Sequence, residues 1–348
     1  MPVRIVIWVV VAVLAVLALL SLAPELPGAV IPPLEGLSGR FPFAQVLALR
    51  GWLVLSFAVI GLMFVILGLV RRQLIGSGSG TAILTLGGVF VLVGVAHLVI
   101  VFERGTSAAT AISRTDDTQA APDAALTILT LNMEDGGVTG SELVDPIVDQ
   151  GVDVVVLPEM VEADAQALAA ELTEAGHPFV AHGAGSATDD RGATSILLAS
   201  SLGEYVPVDA EPTAEELALR PVTGVGPVIV GAHPTAPRPD DMAAWRSQVG
   251  EVLDWCRTGS GPVIIAGGLN ATQDHAPARD LGRCVDAADA AGLGGVGTWP
   301  ANIPWFFGTA IDRVIVDEAS YRVVEGAVFD VGRATHRALV IHVEPAAG

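Results

Sequence analysis

The 348-residue chain has no lysine: all 18 of its basic residues are arginine, set against 38 Asp and Glu. No basic run occurs anywhere. Proteins that grip nucleic acid neutralise phosphates with clustered cations, so that class is disfavoured. Charge is scarce overall, 16% of residues against about 25% in an ordinary soluble domain. The chain is too apolar to be wholly soluble and too charged to be wholly membrane. There are two cysteines, Cys256 and Cys284. Neither has a close histidine or a second cysteine beside it, which argues against a thiolate metal site. No G-x-S-x-G elbow surrounds Ser195 or Ser201, so a serine hydrolase has no support. Internal repeats are absent. With 51% hydrophobic residues, disorder is excluded for most of the chain.

What is present is divided unevenly. Residues 1–104 hold six Arg and three acids, whereas residues 105–348 hold 12 Arg against 35 acids, a net charge of −23. The first part contains three apolar runs of spanning length, Ile5–Ala23, Gly51–Val70 and Ala82–Phe102. A cleaved signal peptide is the rival reading of the first run. That run exceeds the usual 7–15-residue apolar region, and Pro24 would follow the cut, so a retained helix is expected. Arg4 precedes the first run, and Arg71 and Arg72 close the second before a short loop, Arg71–Thr81. Placing these arginines on the cytoplasmic side leaves Pro24–Arg50 outside and sends the C-terminal part out of the cytoplasm. His97 lies inside the third run, and a neutral imidazole bonded to a neighbouring helix is expected. Gly87, Gly88 and Gly94 permit close helix packing.

Residues 105–124 are small and polar, as in a flexible linker. Residues 125–348 suffice for one large domain. Short β-branched runs alternate there with Ala-rich amphipathic segments. Strands are expected at 126–131, 153–157, 178–181, 194–199, 228–232, 263–266, 311–316, 321–328 and 338–343. Helices are expected at 142–150, 163–175 and 241–256. The fold class is α/β with mixed sheets. In an exported domain the two cysteines are most simply a Cys256–Cys284 disulfide. The Gly-rich stretch 292–297 does not join a strand to a helix and reads as a flexible loop on the substrate side. Trp299, Trp305, Phe306 and Phe307 form an apolar cluster, whose sharper reading is contact with lipid head groups.

The informative polar residues fall at strand ends: Asn132, Glu159, His233, Asn270, Asp312 and His336. Polar groups at one end of a buried sheet converge, and ligands bind there. Six such placements in order are hard to ascribe to turn chemistry. They lie in Leu131-Asn132-Met133, Asp153–Glu159 (DVVVLPE), Gly231-Ala-His233-Pro, Gly267-Gly-Leu-Asn-Ala-Thr272, Ile311-Asp-Arg-Val314 and Arg333-Ala-Thr-His-Arg337. In order and spacing, residues 125–345 resemble the endonuclease/exonuclease/phosphatase superfamily, the DNase I-like phosphoesterases. The resemblance implies a DNase I-like four-layer α/β sandwich, preceded here by three transmembrane α-helices. It implies Glu159, with Asn132 nearby, as ligand of Mg²⁺ or Mn²⁺. It further implies Asn132, His233 and Asn270 at the substrate phosphate. His336, oriented by Asp312, would stabilise developing charge.

Two positions depart from the pattern. Gly268 stands where the family's G-D-x-N motif has its acid, and Thr335 stands where the S-D-H motif has its own. A positioned base is worth about 10²–10⁴ in rate. The expectation is therefore a multi-pass protein of a bacterial plasma membrane, with an extracytoplasmic domain whose catalysis is weakened or lost. It would bind an envelope protein or a lipid- or glycan-linked phosphate. The alternative is an active phosphoesterase using Mg²⁺ or Mn²⁺. In the weakened case no metal is required. Asp274, the nearest acid to Gly268 in sequence, is expected to be held too far away to replace the missing one.

Overall fold

The apolar runs are helices. The computed structural model describes residues 2–346 apart from 77, 108, 110, 113–124, 135–136, 209–212 and 214. It divides into two compact units, Met1–Glu103 and Arg104–Gly348. In the first unit, α1 spans Pro2–Leu20, the short α2 spans Phe43–Ala48, α3 spans Arg50–Ile75 and α4 spans Thr81–Glu103. Helices α1, α3 and α4 are long and apolar enough to cross a membrane. Glycines let α3 and α4 approach closely: a Cβ at Gly61 would lie 2.8 Å from Val91 N, and one at Gly87 2.8 Å from Val65 N.

Three boundaries differ from the sequence reading. The first helix ends at Leu20 rather than Ala23. The residue before a proline is steered away from helical geometry, which suits an ending ahead of Pro24. Helix α3 carries Arg71 and Arg72 within its last turns instead of releasing them into a loop, and it stops at Gly76 with φ 117°. Arginine is a good helix former, and its charge suits a helix C-terminus. Arg50, expected in the outer loop, is the first residue of α3 and is buried. Its Nη1 lies 2.8 Å from Nδ1 of His97, whose Nε2 lies 2.9 Å from Ser21 Oγ. His97 is thus fully buried and held from two sides, with Phe57 stacked on its ring. Between α1 and α2, the Glu25 carboxylate accepts from the backbone N–H groups of Gly36 and Ser38 at 2.8 and 2.9 Å.

The second unit is built on two six-stranded mixed sheets. In chain order its elements are β1 (Leu126–Thr130), α5 (Ser141–Asp149), β2 (Val154–Pro158), α6 (Glu162–Glu174), β3 (Phe179–Gly185) and β4 (Ala193–Ala199). Next come β5 (Tyr205–Pro207), β6 (Glu216–Pro221), β7 (Val228–Ala232), α7 (Met242–Arg257) and β8 (Val263–Gly268). The chain ends with β9 (Cys284–Asp286), α8 (Ala287–Ala290), β10 (Asp312–Asp317), β11 (Tyr321–Phe329) and β12 (Ala338–Pro345). One sheet has the order β11-β12-β1-β2-β4-β3, the other β5-β6-β7-β8-β10-β9. Among the described residues, only β1–β2 and β7–β8 pair in parallel.

Strand periodicity splits the side chains between two cores. Ile128, Val154 and Val156 meet Ile264, Val314 and Ile341 between the sheets. Leu129, Val155 and Leu157 face the other way, against Leu143 and Ile147 of α5 and Leu168 of α6. Both faces of β2 are therefore covered, which is why its sequence is apolar throughout. Cys256, near the end of α7, is bonded to Cys284, which opens β9, with a Cα–Cα distance of 5.6 Å.

The stretch 292–297 departs from expectation. Leu293 and Val296 are buried in the inter-sheet core, and Gly295 N donates to Gly105 O. Its apolar side chains anchor it, so it is a packed connection and not a free loop. Residues just after Arg104 are also tied down: Ser107 N donates to Gly292 O, and Ile112 N to Gln150 Oε1. The rest of the expected linker, 113–124, lies outside the described residues.

Candidate active site

The strand ends deliver the expected side chains to one place. Asn132 follows β1 after Leu131, and its Oδ1 accepts from Glu134 N at 2.9 Å, an Asx turn that fixes the amide. Asn132 Nδ2 then donates to Glu159 Oε1 at 3.1 Å and lies 3.4 Å from His233 Nε2. His233 Nε2 is 3.4 Å from the same Glu159 oxygen, closing a triangle of three side chains. Glu159 follows Pro158 at the end of β2 with φ 60°, and Asn270 has φ 50°. Such backbone is uncommon for residues with a Cβ and gathers at functional sites.

Asp312 and His336 form a second group. Asp312 opens β10, and its Oδ2 lies 2.7 Å from His336 Nδ1. Burial works against a charge on His336, yet the Asp312 carboxylate, helped by Glu134, pushes its pKa up to about 9. His336 is therefore an imidazolium at neutral pH. The other oxygen, Asp312 Oδ1, is buried without a hydrogen-bond partner.

Position 268 lies between the two groups. A Cβ there would sit 3.3 Å from Asp312 Oδ1, 3.6 Å from His233 Cδ2 and 3.7 Å from Asn132 Nδ2. The glycine is not demanded by backbone shape, because only its neighbour Gly267, with φ 141°, has left-handed geometry. A Cβ on Gly267 would lie 2.0 Å from Ala232 O, so that glycine is fixed by the close approach of β7. Asp274 does not reach this centre. Its carboxylate is held by both terminal nitrogens of Arg104, at 2.9 and 2.8 Å. Asn270 is held apart from the hydrogen bonds of the triangle: its Nδ2 donates to Pro234 O at 2.9 Å and its carbonyl accepts from Trp245 Nε1 at 3.0 Å. Ser195 donates to Met160 O and is buried, a structural role.

Sequence reasoning missed Glu134. Its Oε2 accepts from Thr335 Oγ1 at 2.7 Å and lies 3.6 Å from His336 Nε2. The charged His336 ring beside it, with the Thr335 hydroxyl, holds its pKa down to about 2. An acid two residues past a strand-end asparagine looks like ordinary loop chemistry, and only the fold brings it against Thr335. Trp299 is partly exposed, 6.3 Å from His336 between ring centroids, and the chain Trp305, Phe306, Phe307 packs edge to face nearby in sequence.

The donor set suits a resident divalent cation poorly. Among the described residues, no three His, Cys, Asp or Glu side chains are grouped to hold one. Glu159 is the single carboxylate of its triangle, and the Asn132 oxygen is committed to Glu134 N. Hard cations need several oxygen ligands, supplied by carboxylates, waters or substrate phosphates.

Among solved structures, the chain is similar to a humanized TDP2 from D. rerio at 19% identity and TM-score 0.47, covering 63% of this chain and 99% of that one. It is also similar to an endonuclease/exonuclease/phosphatase from Bacteroides vulgatus, at 15% identity and TM-score 0.48, covering 64% and 99%. A family protein from Bacteroides thetaiotaomicron gives 15% and 0.48, covering 64% and 98%. No curated protein matches the chain. The sequence profile of the Endonuclease/Exonuclease/phosphatase family matches residues 129–335, more than half of the chain and every strand end just described, save the one that carries His336 one residue beyond; the protein belongs to that family.

Proposed function

We propose that this protein is a membrane-anchored member of its family whose phosphoester hydrolysis is weakened or lost, and which serves as a binding subunit in the cell envelope. The observation that carries the reading is the vacancy at position 268. It adjoins Asp312, His233 and Asn132, where a base for the attacking water would stand, and Asp274, the nearest acid in sequence, is held by Arg104 instead. Thr335 removes a second acid beside His336. The retained side chains can still bind and orient an oxyanion. His336 is a fixed imidazolium held by Asp312, and Asn132 and His233 present nitrogens beside Glu159. Their ligand is an envelope protein or a lipid- or glycan-linked phosphate. Because residues 105–348 carry net −23, nucleic acid is a poor partner. The domain lies outside the cytoplasm, a placement supported by the Cys256–Cys284 bond, since disulfides persist in oxidising compartments.

The second reading is an active Mg²⁺- or Mn²⁺-dependent phosphoesterase. It is favoured by the intact Asp312–His336 pair, which a pure scaffold would not need. A hydrolysis assay on the full chain in detergent, with a generic phosphodiester and added Mg²⁺ or Mn²⁺, separates them. Under the first reading turnover is absent or slight. Brisk turnover that disappears in Glu159→Ala would establish the second.

A further inference from the structure

From Ala290 to Ile311 the chain carries no charged side chain and no histidine, although residues 105–348 have a net charge of −23. Four of the ten aromatic residues after Arg104 fall in the short loop from Trp299 to Phe307. Trp299 is exposed, and Trp305, Phe306 and Phe307 are half-buried. Of those three, Trp305 packs against the inter-sheet core, whereas Phe306 and Phe307 belong to neither core. The loop is held through its backbone instead. Arg337 Nη1 donates to Gly297 O at 2.9 Å, and its Nη2 donates to Ala301 O and Ile303 O at 2.7 and 2.6 Å. One guanidinium thus gathers the loop's carbonyls inward and fixes its shape. A fixed, uncharged, aromatic surface rimmed by an acidic domain is an interaction surface in the making.

The tether identifies what covers it. Helix α4 ends at Glu103, and Gly105 follows within about 7 Å of chain. Gly105 O accepts from Gly295 N at 2.9 Å, and Ser107 N donates to Gly292 O at 3.1 Å. Two residues beyond Gly295, Gly297 N donates to Trp305 O at 3.2 Å. The aromatic loop is therefore pinned a few short steps from the end of a helix long and apolar enough to cross a bilayer. Aromatic rings favour the layer between lipid headgroups and hydrocarbon, which is the layer a spanning helix ends in. We infer that the loop Trp299–Phe307 is a platform that docks on the bilayer holding the chain's own helices, and so seats the candidate site against the headgroup layer. The site adjoins the platform: Ala301 N donates to Thr335 O at 2.7 Å, and the ring centroids of Trp299 and His336 are 6.3 Å apart. The inference rests on the membrane-anchored reading of the protein. Because the platform is uncharged, it docks by apolar contact, and salt does not release it.

The test uses the full chain in phosphatidylcholine proteoliposomes. Both cysteines are in the disulfide, so one introduced cysteine can carry an environment-sensitive fluorophore alone. Asn302→Cys places it at an exposed position of the platform. Val225→Cys places it at an exposed position just before β7, at the opposite end of that strand from His233. The probe at 302 should emit further to the blue than the probe at 225, and nitroxide-labelled lipids should quench it more, at low and high salt alike. Phe306→Ser with Phe307→Ser, confirmed as folded by its melting transition, should abolish both differences. Equal emission and quenching at 302 and 225 would overturn the inference, and this comparison stands even if the serine pair does not fold. A difference that survives the serine pair would reduce it to nearness imposed by the tether, and would overturn the inference too. A chain that alkaline washing strips from the liposomes would defeat the membrane-anchored reading and the inference together. An anchored chain whose 302 probe stays in water would defeat the inference alone.

Discussion

On the proposed reading two positions carry the loss of hydrolysis, Gly268 and Thr335, and restoring an acid at the first is sterically open. The backbone at Gly268 accepts an L-residue, and the nearest atom to a new Cβ is Asp312 Oδ1 at 3.3 Å, which needs to yield by only a few tenths of an ångström. Gly268→Asp should therefore fold and raise metal-dependent hydrolysis of a generic phosphodiester, by up to about 10²-fold, the lower end for a positioned base. A folded variant with no gain would place the deficit elsewhere. Thr335→Asp on its own should not help, because its carboxylate would face Glu134, which now sits 2.7 Å from the Thr335 hydroxyl. Its contribution should emerge only together with Glu134→Gln, as a non-additive term in a double-mutant cycle of rates. The same trio predicts a pH profile of stability. His336 is raised from 6.5 to about 9, so its contribution is complete below pH 6.5 and is lost as pH rises through 9. Glu134 is lowered from 4.5 to about 2, so its contribution is complete above pH 4.5 and is lost as pH falls towards 2. Denaturant melts should show a plateau between these limits, and Glu134→Gln should flatten the acid limb.

At the level of elements, what periodicity could express was legible and what depended on long-range pairing was not. Strand β7 was expected at its observed bounds, and β1, β2, β4, β8, β10, β11 and β12 within a few residues, because each is a buried β-branched run. Strands β5, β6 and β9 were missed. Two of them have three residues each, and Glu216–Pro221 ends in an arginine and a proline that blur its alternation. Glu134 was invisible for a related reason: its partner Thr335 is 201 residues away in the chain. The helix ends differ from the sequence reading at Arg50 and at Arg71-Arg72, which lie inside α3, where the long apolar stem of arginine is compatible with a helix. Two elements carry quantitative predictions. The disulfide closes a stretch with a sequence separation of 28. Replacing both cysteines by alanine should lower stability by roughly 3–4 kcal/mol in urea melts. His97→Ala should weaken the helical unit by about 1–2 kcal/mol in a detergent unfolding titration, since it deletes hydrogen bonds to Ser21 and Arg50 from a buried position. An unchanged midpoint would show that the two bonds are replaced by others.

For the whole molecule, the proposed placement of the acidic domain outside the cytoplasm carries a topology test. Three helices are long and apolar enough to cross a membrane, and if all three cross, the two ends of the helical unit fall on opposite sides. Arg4 lies near the start of α1, and Arg71 and Arg72 near the end of α3, two helix ends that share a side in an alternating path. That side gathers three arginines, and the bias towards cytoplasmic basic residues supports the proposal that it is the inner one. Arg40 and Arg50 lie at the other end and oppose the assignment, although Arg50 is buried against His97 and Arg40 is bonded to the carbonyls of Pro33 and Glu35. Glu25 and Glu35 share that side and reduce its net charge further. The argument from redox chemistry is independent of these arginines, since it rests on Cys256 and Cys284 alone. Both lines support the proposed outward placement of residues after Arg104. An impermeant thiol-independent label, or a protease added to intact cells, should therefore reach the second unit without lysis. Protection until lysis, together with two freely alkylated cysteines in the native protein, would reverse the orientation and remove the disulfide with it. Labelling of the second unit in intact cells with both thiols free would leave the orientation standing and show that the pair closes only under a stronger oxidant.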